Sequence, residues 1–64
     1  MALLYVQGAV MKVGDLVKIK KSFSQKAIGK LAIVVKIWIC NATIVILDNG
    51  SREDYDIQKL EVLS

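Results

Sequence analysis

An apolar segment, residues 31–48, constrains the fold of this chain more than any other feature. Fourteen of its first seventeen residues are apolar, and the three exceptions are Lys36, Asn41 and Thr43. Most of the apolar residues are branched at Cβ, which disfavours a helical backbone and suits a pleated strand. Because the polar residue Asn41 lies near its centre, the segment predicts two strands joined by a tight reversal.

Neither face of this predicted hairpin is cleanly polar. In its first strand the odd positions form one continuous apolar face and the even positions form a mixed face. An antiparallel sheet with one solvated face alternates cleanly, so we expect the second face to be covered in part, by the N-terminal segment, the end of the chain or another subunit. The odd positions are Leu31, Ile33, Val35, Ile37 and Ile39, and the even positions are Ala32, Val34, Lys36, Trp38 and Cys40.

The flanking residues predict three more short strands. Val17 and Ile19 alternate with lysines, which indicates a half-buried strand, and a loop of ten residues, 21–30, follows it. Asn49-Gly50 predicts a hairpin turn of the primed type, then a polar strand over residues 51–56 with Tyr55 pointing inward. Residues 57–60 suit a single 3-10 turn before a last strand over 61–64. The predicted fold is therefore all-β, a small five-stranded barrel.

Composition limits how such a small domain can be stabilised. A chain of 64 residues forms one domain and buries a modest fraction of its surface. Cys40 is the single cysteine and histidine is absent, which excludes an internal disulfide and a zinc site of the usual Cys/His kind. No cofactor or metal is expected. The apolar fraction of 55% favours an efficient core, oligomerisation or both.

The first ten residues carry no charge and form a separate segment. We expect residues 1–10 to be an extension or an extra strand that pairs within the sheet or with a neighbouring subunit, and residues 11–64 to be the barrel. In the alternative interpretation, Met11 is the natural start of the protein and residues 1–10 are a mis-assigned start. The segment lacks the basic leader of a signal peptide, and Lys36 interrupts the one stretch long enough to span a membrane. We therefore expect a cytoplasmic protein without membrane contact.

Four parts of the chain together resemble the SH3-like small β-barrel superfamily. They are residues 13–19, Gly29 with residues 32–37, the turn at 48–50 and the ending at 57–63. The resemblance covers residues 11–64, and it is nearest to stand-alone proteins of bacteriophage and marine viral genomes. A viral origin would imply the host cytoplasm. Residues 13–37, with Gly14-Asp15, Val17 and Gly29, also resemble the KOW motif of ribosome- and RNA-associated proteins.

We expect a non-catalytic binding module rather than an enzyme. Signalling SH3 domains use an aromatic groove for polyproline ligands, but this chain has four aromatic residues and no proline. We do not expect polyproline binding. Glu53, Asp54 and Asp56 are most simply a solvated face, and without histidine no acid–base or nucleophilic constellation is apparent.

Charge divides the chain into a basic and an acidic part. Residues 11–36 hold seven lysines and one aspartate, a net charge of +6, whereas residues 37–64 have a net charge of −3. A lysine-rich loop with an aromatic residue can bind a phosphate backbone and stack on a base. The alternative is that the lysines solubilise an apolar protein and protect its sheet edges. The candidate nucleic-acid surface is Lys18, Lys20, Lys21, Phe23, Lys26 and Lys30.

Two functional hypotheses follow from these observations. The first is a self-associating or partner-binding module, based on the apolar second face and on Trp38, a residue type common at interface centres. The second is a nucleic-acid-binding accessory of the KOW type. The candidate protein interface is Leu4, Val6, Val34, Trp38 and Val45.

Overall fold

A computed structural model describes residues 11–63, which form five β-strands and two 3-10 turns. The all-β prediction, the number of strands and the 3-10 turn near the C-terminus are confirmed. The strands are β1 (Leu16–Ile19), β2 (Leu31–Ile37), β3 (Asn41–Ile46), β4 (Arg52–Asp56) and β5 (Leu60–Val62); the 3-10 turns are η1 (Gln25–Ala27) and η2 (Ile57–Lys59). The expectations for residues 1–10, including Leu4 and Val6, lie outside the described residues.

All strand pairs are antiparallel, and the sheet order is β4-β3-β2-β1-β5. β4 and β5 therefore lie at opposite edges, yet only the three residues of η2 join them. Strands lie about 4.8 Å apart, so the edges of a flat five-stranded sheet would be about 19 Å apart. A 3-10 turn rises about 2 Å per residue, too little to cross that distance. The sheet must therefore curl toward a barrel, although its hydrogen-bonded ladder ends at β4 and β5.

Hydrogen bonds fix η2 against both halves of the curled sheet. The Ile57 N–H donates to the Cys40 carbonyl at the end of the β2–β3 hairpin (2.9 Å), and the Lys59 carbonyl accepts from the Lys20 N–H just beyond β1 (2.7 Å). The Asp56 carboxylate caps the turn by accepting from the Gln58 N–H. These bonds hold the two edges of the sheet together through the turn.

The inner face of the curl forms the core. Its residues are every second residue along β1, β2 and β3, and Tyr55 points inward as predicted. Small residues lie at the centre, where Ala32 and Ala42 are fully buried. Because a tightly curled sheet encloses little volume, alanine and valine suit several of these positions. The core consists of Val17, Ile19, Ala32, Val34, Ala42, Ile44, Ile46, Tyr55 and Leu60.

The more uniformly apolar face of β2 turns outward, which the sequence pattern did not indicate. Ala32 and Val34, from the mixed face, are fully buried, whereas Ile33 and Val35 are only half-buried. A bulge between Val34 and Lys36 then shifts the register, so that Lys36 faces solvent. A bulge places two residues opposite one, so strict alternation along the strand fails there.

Two turns differ in detail from the sequence prediction. The β2–β3 hairpin reverses at residues 38–40, and Asn41 already belongs to β3. The turn after β3 is present, but of its residues only Gly50 has positive φ (72°), so it is not of the primed type. Instead the Gly50 N–H donates to the Ile46 carbonyl (2.7 Å), closing a longer loop. Gly29 has positive φ (91°), as predicted.

In the part of the chain that the structure describes, helical structure is confined to η1 and η2. Among residues 11–63, no helix is long and apolar enough to cross a membrane.

Two matched isoleucine substitutions test the assignment of the core. Ile44 is 0% exposed in β3 and Ile39 is 96% exposed in the β2–β3 turn. We expect Ile44→Val to lower the free energy of unfolding by about 0.5–1.5 kcal/mol, because it removes a buried methylene. Ile39→Val should change it by less than about 0.5 kcal/mol. Urea unfolding followed by circular dichroism measures both, and equal effects would contradict the assignment.

Candidate functional site

The outer face of the sheet carries a row of aliphatic side chains that crosses three strands and continues beyond a fourth. Leu16 pairs with Ile33, and Ile33 pairs with Val45 on the next strand. On the other side of β1, the Leu63 N–H donates to the Leu16 carbonyl (2.8 Å), which continues the row just beyond β5. We call Leu63, Leu16, Ile33 and Val45 the outer apolar row. Its last neighbour, on β4, is Arg52.

A second pair of aliphatic residues widens this row. The Leu47 N–H donates to the Leu31 carbonyl (3.0 Å), so these two side chains lie next to each other on the same face. Leu31, Leu47 and Leu63 expose 41%, 55% and 44% of their surface. Scattered apolar residues are normal on a protein surface, but a contiguous apolar patch with a polar border is typical of an interaction site. The outer apolar row with Leu31 and Leu47 is therefore the first candidate site.

The structure places the candidate interface residues predicted from sequence in different environments. Val45 lies in the outer apolar row, but Val34 is completely buried in the core, so the prediction that Val34 contacts a partner is wrong. Its even position on β2 placed it on the face that turns inward. Trp38 is half exposed beyond the end of β2, with the Lys36 ammonium 4.3 Å from its ring centre.

The second candidate site is the loop between β1 and β2. Its base is closed by a hydrogen bond from the Gly29 N–H to the Ile19 carbonyl (2.8 Å). Its tip is fixed by Ser22, whose hydroxyl is hydrogen-bonded to the Tyr55 hydroxyl (2.9 Å) and accepts from the Ser24 N–H (3.1 Å). With Ser22 held against the core, the neighbouring Phe23 side chain is fully exposed.

Lys59, which sequence analysis did not select, belongs to this loop surface. The Lys20 and Lys21 N–H groups both donate to the Lys59 carbonyl (2.7 and 3.4 Å). The Lys59 ammonium lies 5.1 Å from the centre of the Phe23 ring, a cation–π distance. Only the pairing of β5 with β1 brings residue 59 to the loop, and no short-range pattern in the sequence indicates that pairing.

A groove of about 440 Å³ lies between this loop and β4. The loop side contributes Phe23, Lys26 and Lys30, and β4 contributes Glu53 and Tyr55. The groove therefore carries charges of both signs, whereas the sequence suggested a purely basic surface. Its carboxylates repel phosphate groups, which weakens the case for nucleic acid inside the groove itself.

Two of the predicted nucleic-acid-binding lysines are separated from the others by their contacts. Lys30 forms an ion pair with Asp48, and the Lys30 ammonium lowers the pKa of that carboxyl by hydrogen bonding and by its charge. Lys18 lies on the outer face of the sheet, opposite Glu61 of β5. Lys20, Lys21 and Lys26 remain near Phe23 and Lys59, and we call these five residues the basic loop surface.

The described residues offer little for metal binding or covalent chemistry. Within residues 11–63, no group of three or more His, Cys, Asp or Glu side chains could hold a metal ion. Cys40 is a free thiol, exposed in the β2–β3 turn. Asp54 accepts a hydrogen bond from Thr43 and Asp56 caps η2, so both carboxylates have structural partners.

Comparison with known proteins gives this chain no family. No protein-family model matches the sequence, and neither does any curated protein.

The hydrogen bond between Ser22 and Tyr55 should anchor the loop to the core. We expect Tyr55→Phe and Ser22→Ala each to lower the free energy of unfolding by about 1 kcal/mol. The double substitution should cost less than the sum of the two, because one shared bond is lost in all three variants. Urea unfolding of the four proteins tests this, and strict additivity would show that the two hydroxyls are not coupled.

Proposed function

We propose that this chain is a non-catalytic binding and assembly module that associates with further copies of itself through its outer apolar row. The observation that carries the proposal is the alignment of Leu16, Ile33 and Val45 across three strands of the outer face, continued by Leu63 just beyond β5. Three leucines in or beside the row expose more than 40% of their surface. Removing apolar surface from water contributes about 25 cal/mol per Å², so covering this patch favours association.

The non-catalytic part of the proposal is supported by the residues available. The chain lacks histidine, and its single cysteine is exposed on a turn without a paired base in the described contacts. The five-stranded order with a 3-10 turn before the last strand is compatible with the SH3-like barrel plan to which the sequence bears a resemblance. An exposed free thiol suits a reducing compartment, so we propose a cytoplasmic location, that of the host if the gene is viral.

A charged residue in the outer apolar row tests this function. We expect full-length protein to have a mass above the 7.1 kDa of one chain in light scattering after gel filtration. Val45→Glu should weaken association by at least about tenfold, because a carboxylate would be buried in an apolar contact. Arg52 lies opposite position 45 and would pair with the new charge in the single chain, which helps the variant to fold.

Ile39→Glu is the matched control for this experiment. It also replaces an exposed branched aliphatic residue by glutamate, but in the β2–β3 turn and not on the outer apolar row. It should leave the mass unchanged. A full-length protein that stays at the mass of one chain at every concentration would overturn the proposed function.

A second candidate function, binding of nucleic acid as a KOW-like accessory, is favoured by the basic loop surface. Phe23 is fully exposed, and Lys20, Lys21 and Lys59 are gathered beside it by backbone hydrogen bonds. An exposed aromatic ring with the Lys59 ammonium 5.1 Å from its centre and further lysines on the same loop suits stacking on an unpaired base with phosphates nearby. Phe23, Lys26 and Lys59 of the basic loop surface also line the groove.

Titration of a fluorescent single-stranded RNA at low salt tests this second function. We expect binding that weakens as salt rises, because phosphate contacts release counterions. Replacing Lys20, Lys21 and Lys26 together by glutamine should reduce the salt dependence, and Phe23→Ala should weaken binding by about 1–3 kcal/mol. Lys36→Gln, near the end of β2 that is farther from the loop, is the control. If no binding occurs at low salt, this function is excluded.

A further inference from the structure

The outer edge of β4 runs along the groove beside the β1–β2 loop. Four consecutive residues of this strand, 53–56, line the groove. Successive side chains of a strand point to opposite faces, so four residues in a row can border one cavity only along the edge of the strand. β4 pairs with β3 on its other side, and every position of β4 except Tyr55 is exposed. The groove therefore opens onto a strand edge that no other strand of residues 11–63 covers.

The register of β3 and β4 shows which backbone groups face this edge. At one end of the pair the Ile46 N–H donates to the Ser51 carbonyl (2.8 Å). At the other end the Ile57 N–H donates to the Cys40 carbonyl (2.9 Å). Opposed residues of antiparallel strands alternate between hydrogen-bonded and non-hydrogen-bonded pairs, and counting from either end places Asp54 in a non-hydrogen-bonded pair. Its N–H and carbonyl groups therefore point away from β3, toward the open edge.

We propose that the β4 edge binds an extended segment of a partner protein, with alternating basic and apolar residues, as an added antiparallel strand. This inference goes beyond the proposed function, because it concerns a strand edge and not the outer apolar row. Among residues 11–63, no backbone hydrogen bond joins Arg52 or Asp54 to the loop or to η2, so both can pair with an added strand. In such complexes the main-chain bonds provide affinity and alternate side chains provide specificity.

The charge of β4 selects the basic residues of the partner. The strand holds three carboxylates and one arginine, a net charge of −2. Directly opposed residues of antiparallel strands lie on the same face, so a lysine or arginine opposite Asp54 meets that carboxylate directly and Asp56 diagonally. A second copy of β4 would instead bring carboxylates together, which disfavours pairing of two copies along this edge.

The residues between these basic positions face the groove, where apolar side chains fit best. Glu53 and Tyr55 lie on this side of β4, since they pair with the buried residues Ile44 and Ala42. Across the groove the loop contributes the fully exposed Phe23 ring. Lysines of the loop and the Glu53 carboxylate have opposite charges, so the groove favours neither sign. The two aromatic rings offer apolar surface to a partner side chain.

A synthetic peptide tests strand addition on the full chain by fluorescence anisotropy. The probe is a capped, fluorescently labelled peptide of about seven residues in which lysine and valine alternate. In the proposed pairing the lysine N–H groups point to β4 and the valine N–H groups point away from it. Methylating the lysine backbone nitrogens should weaken binding at least about tenfold, because it removes the donors to the edge carbonyls. Methylating the valine backbone nitrogens is the matched control and should change binding by less than about twofold.

Two substitutions on β4 test the charge preference. Asp54→Asn combined with Asp56→Asn should weaken binding of the unmethylated peptide about three- to tenfold, because two exposed opposite-charge contacts are lost. Asparagine keeps a side-chain oxygen for the Thr43 hydrogen bond and for the cap of η2, so the variant should fold. Glu61→Gln, which removes a carboxylate from the other edge strand, is the control and should leave binding unchanged.

The outcomes separate paired binding from loose electrostatic attraction. A loss of binding on lysine methylation but not on valine methylation would support strand addition. If the unmethylated peptide does not bind, if both methylated peptides bind alike, or if the valine-methylated peptide is the weaker, the proposed pairing is wrong. An unchanged affinity of the double aspartate variant would overturn the preference for basic residues.

Discussion

The three-residue connection between β4 and β5 is the constraint on which the rest of this structure depends. It joins strands at opposite edges of the sheet, so the sheet must curl, and η2 is bonded both to the residue after β1 and to the β2–β3 hairpin. A tight curl encloses little volume, which suits Ala32 and Ala42 on the inside. Larger aliphatic side chains, Leu31 and Leu47 among them, are left on the convex side. The apolar outer face is thus a consequence of how a chain this short closes its core.

The same constraint explains what could be predicted from the sequence. An all-β fold with five strands and a 3-10 turn could be predicted from local patterns. These were the branched residues, the alternation around Val17 and Ile19, and Gly50. The apolar pattern could not predict which face of β2 points into the core, because both faces of that strand carry apolar residues. Which face turns inward depends on the space inside the curled sheet. The bulge after Val34 has no glycine or proline to indicate it. Val34 was therefore assigned to an interface that it cannot reach.

The candidate sites show the same division between local and long-range information. The basic loop could be located from its lysines and Phe23, because these residues are close in sequence. Lys59 could not be included, since the pairing of β1 with β5 brings it there. In the same way, the outer apolar row joins residues from three strands and the residue that follows β5, and Val45 was its one member selected in advance.

Nuclear Overhauser effects between copies in a mixture of labelled and unlabelled protein would test the central claim most directly, that the convex apolar face is where two chains meet. Filtered spectra of the full-length chain report only contacts between copies. If the chains meet there, we expect intermolecular signals from the methyl groups of Ile33 and Val45, and none from the buried methyl groups of Ile19 and Ile44. Intermolecular signals confined to Phe23 and the groove beside it, or a dimer without signals from Ile33, would contradict it.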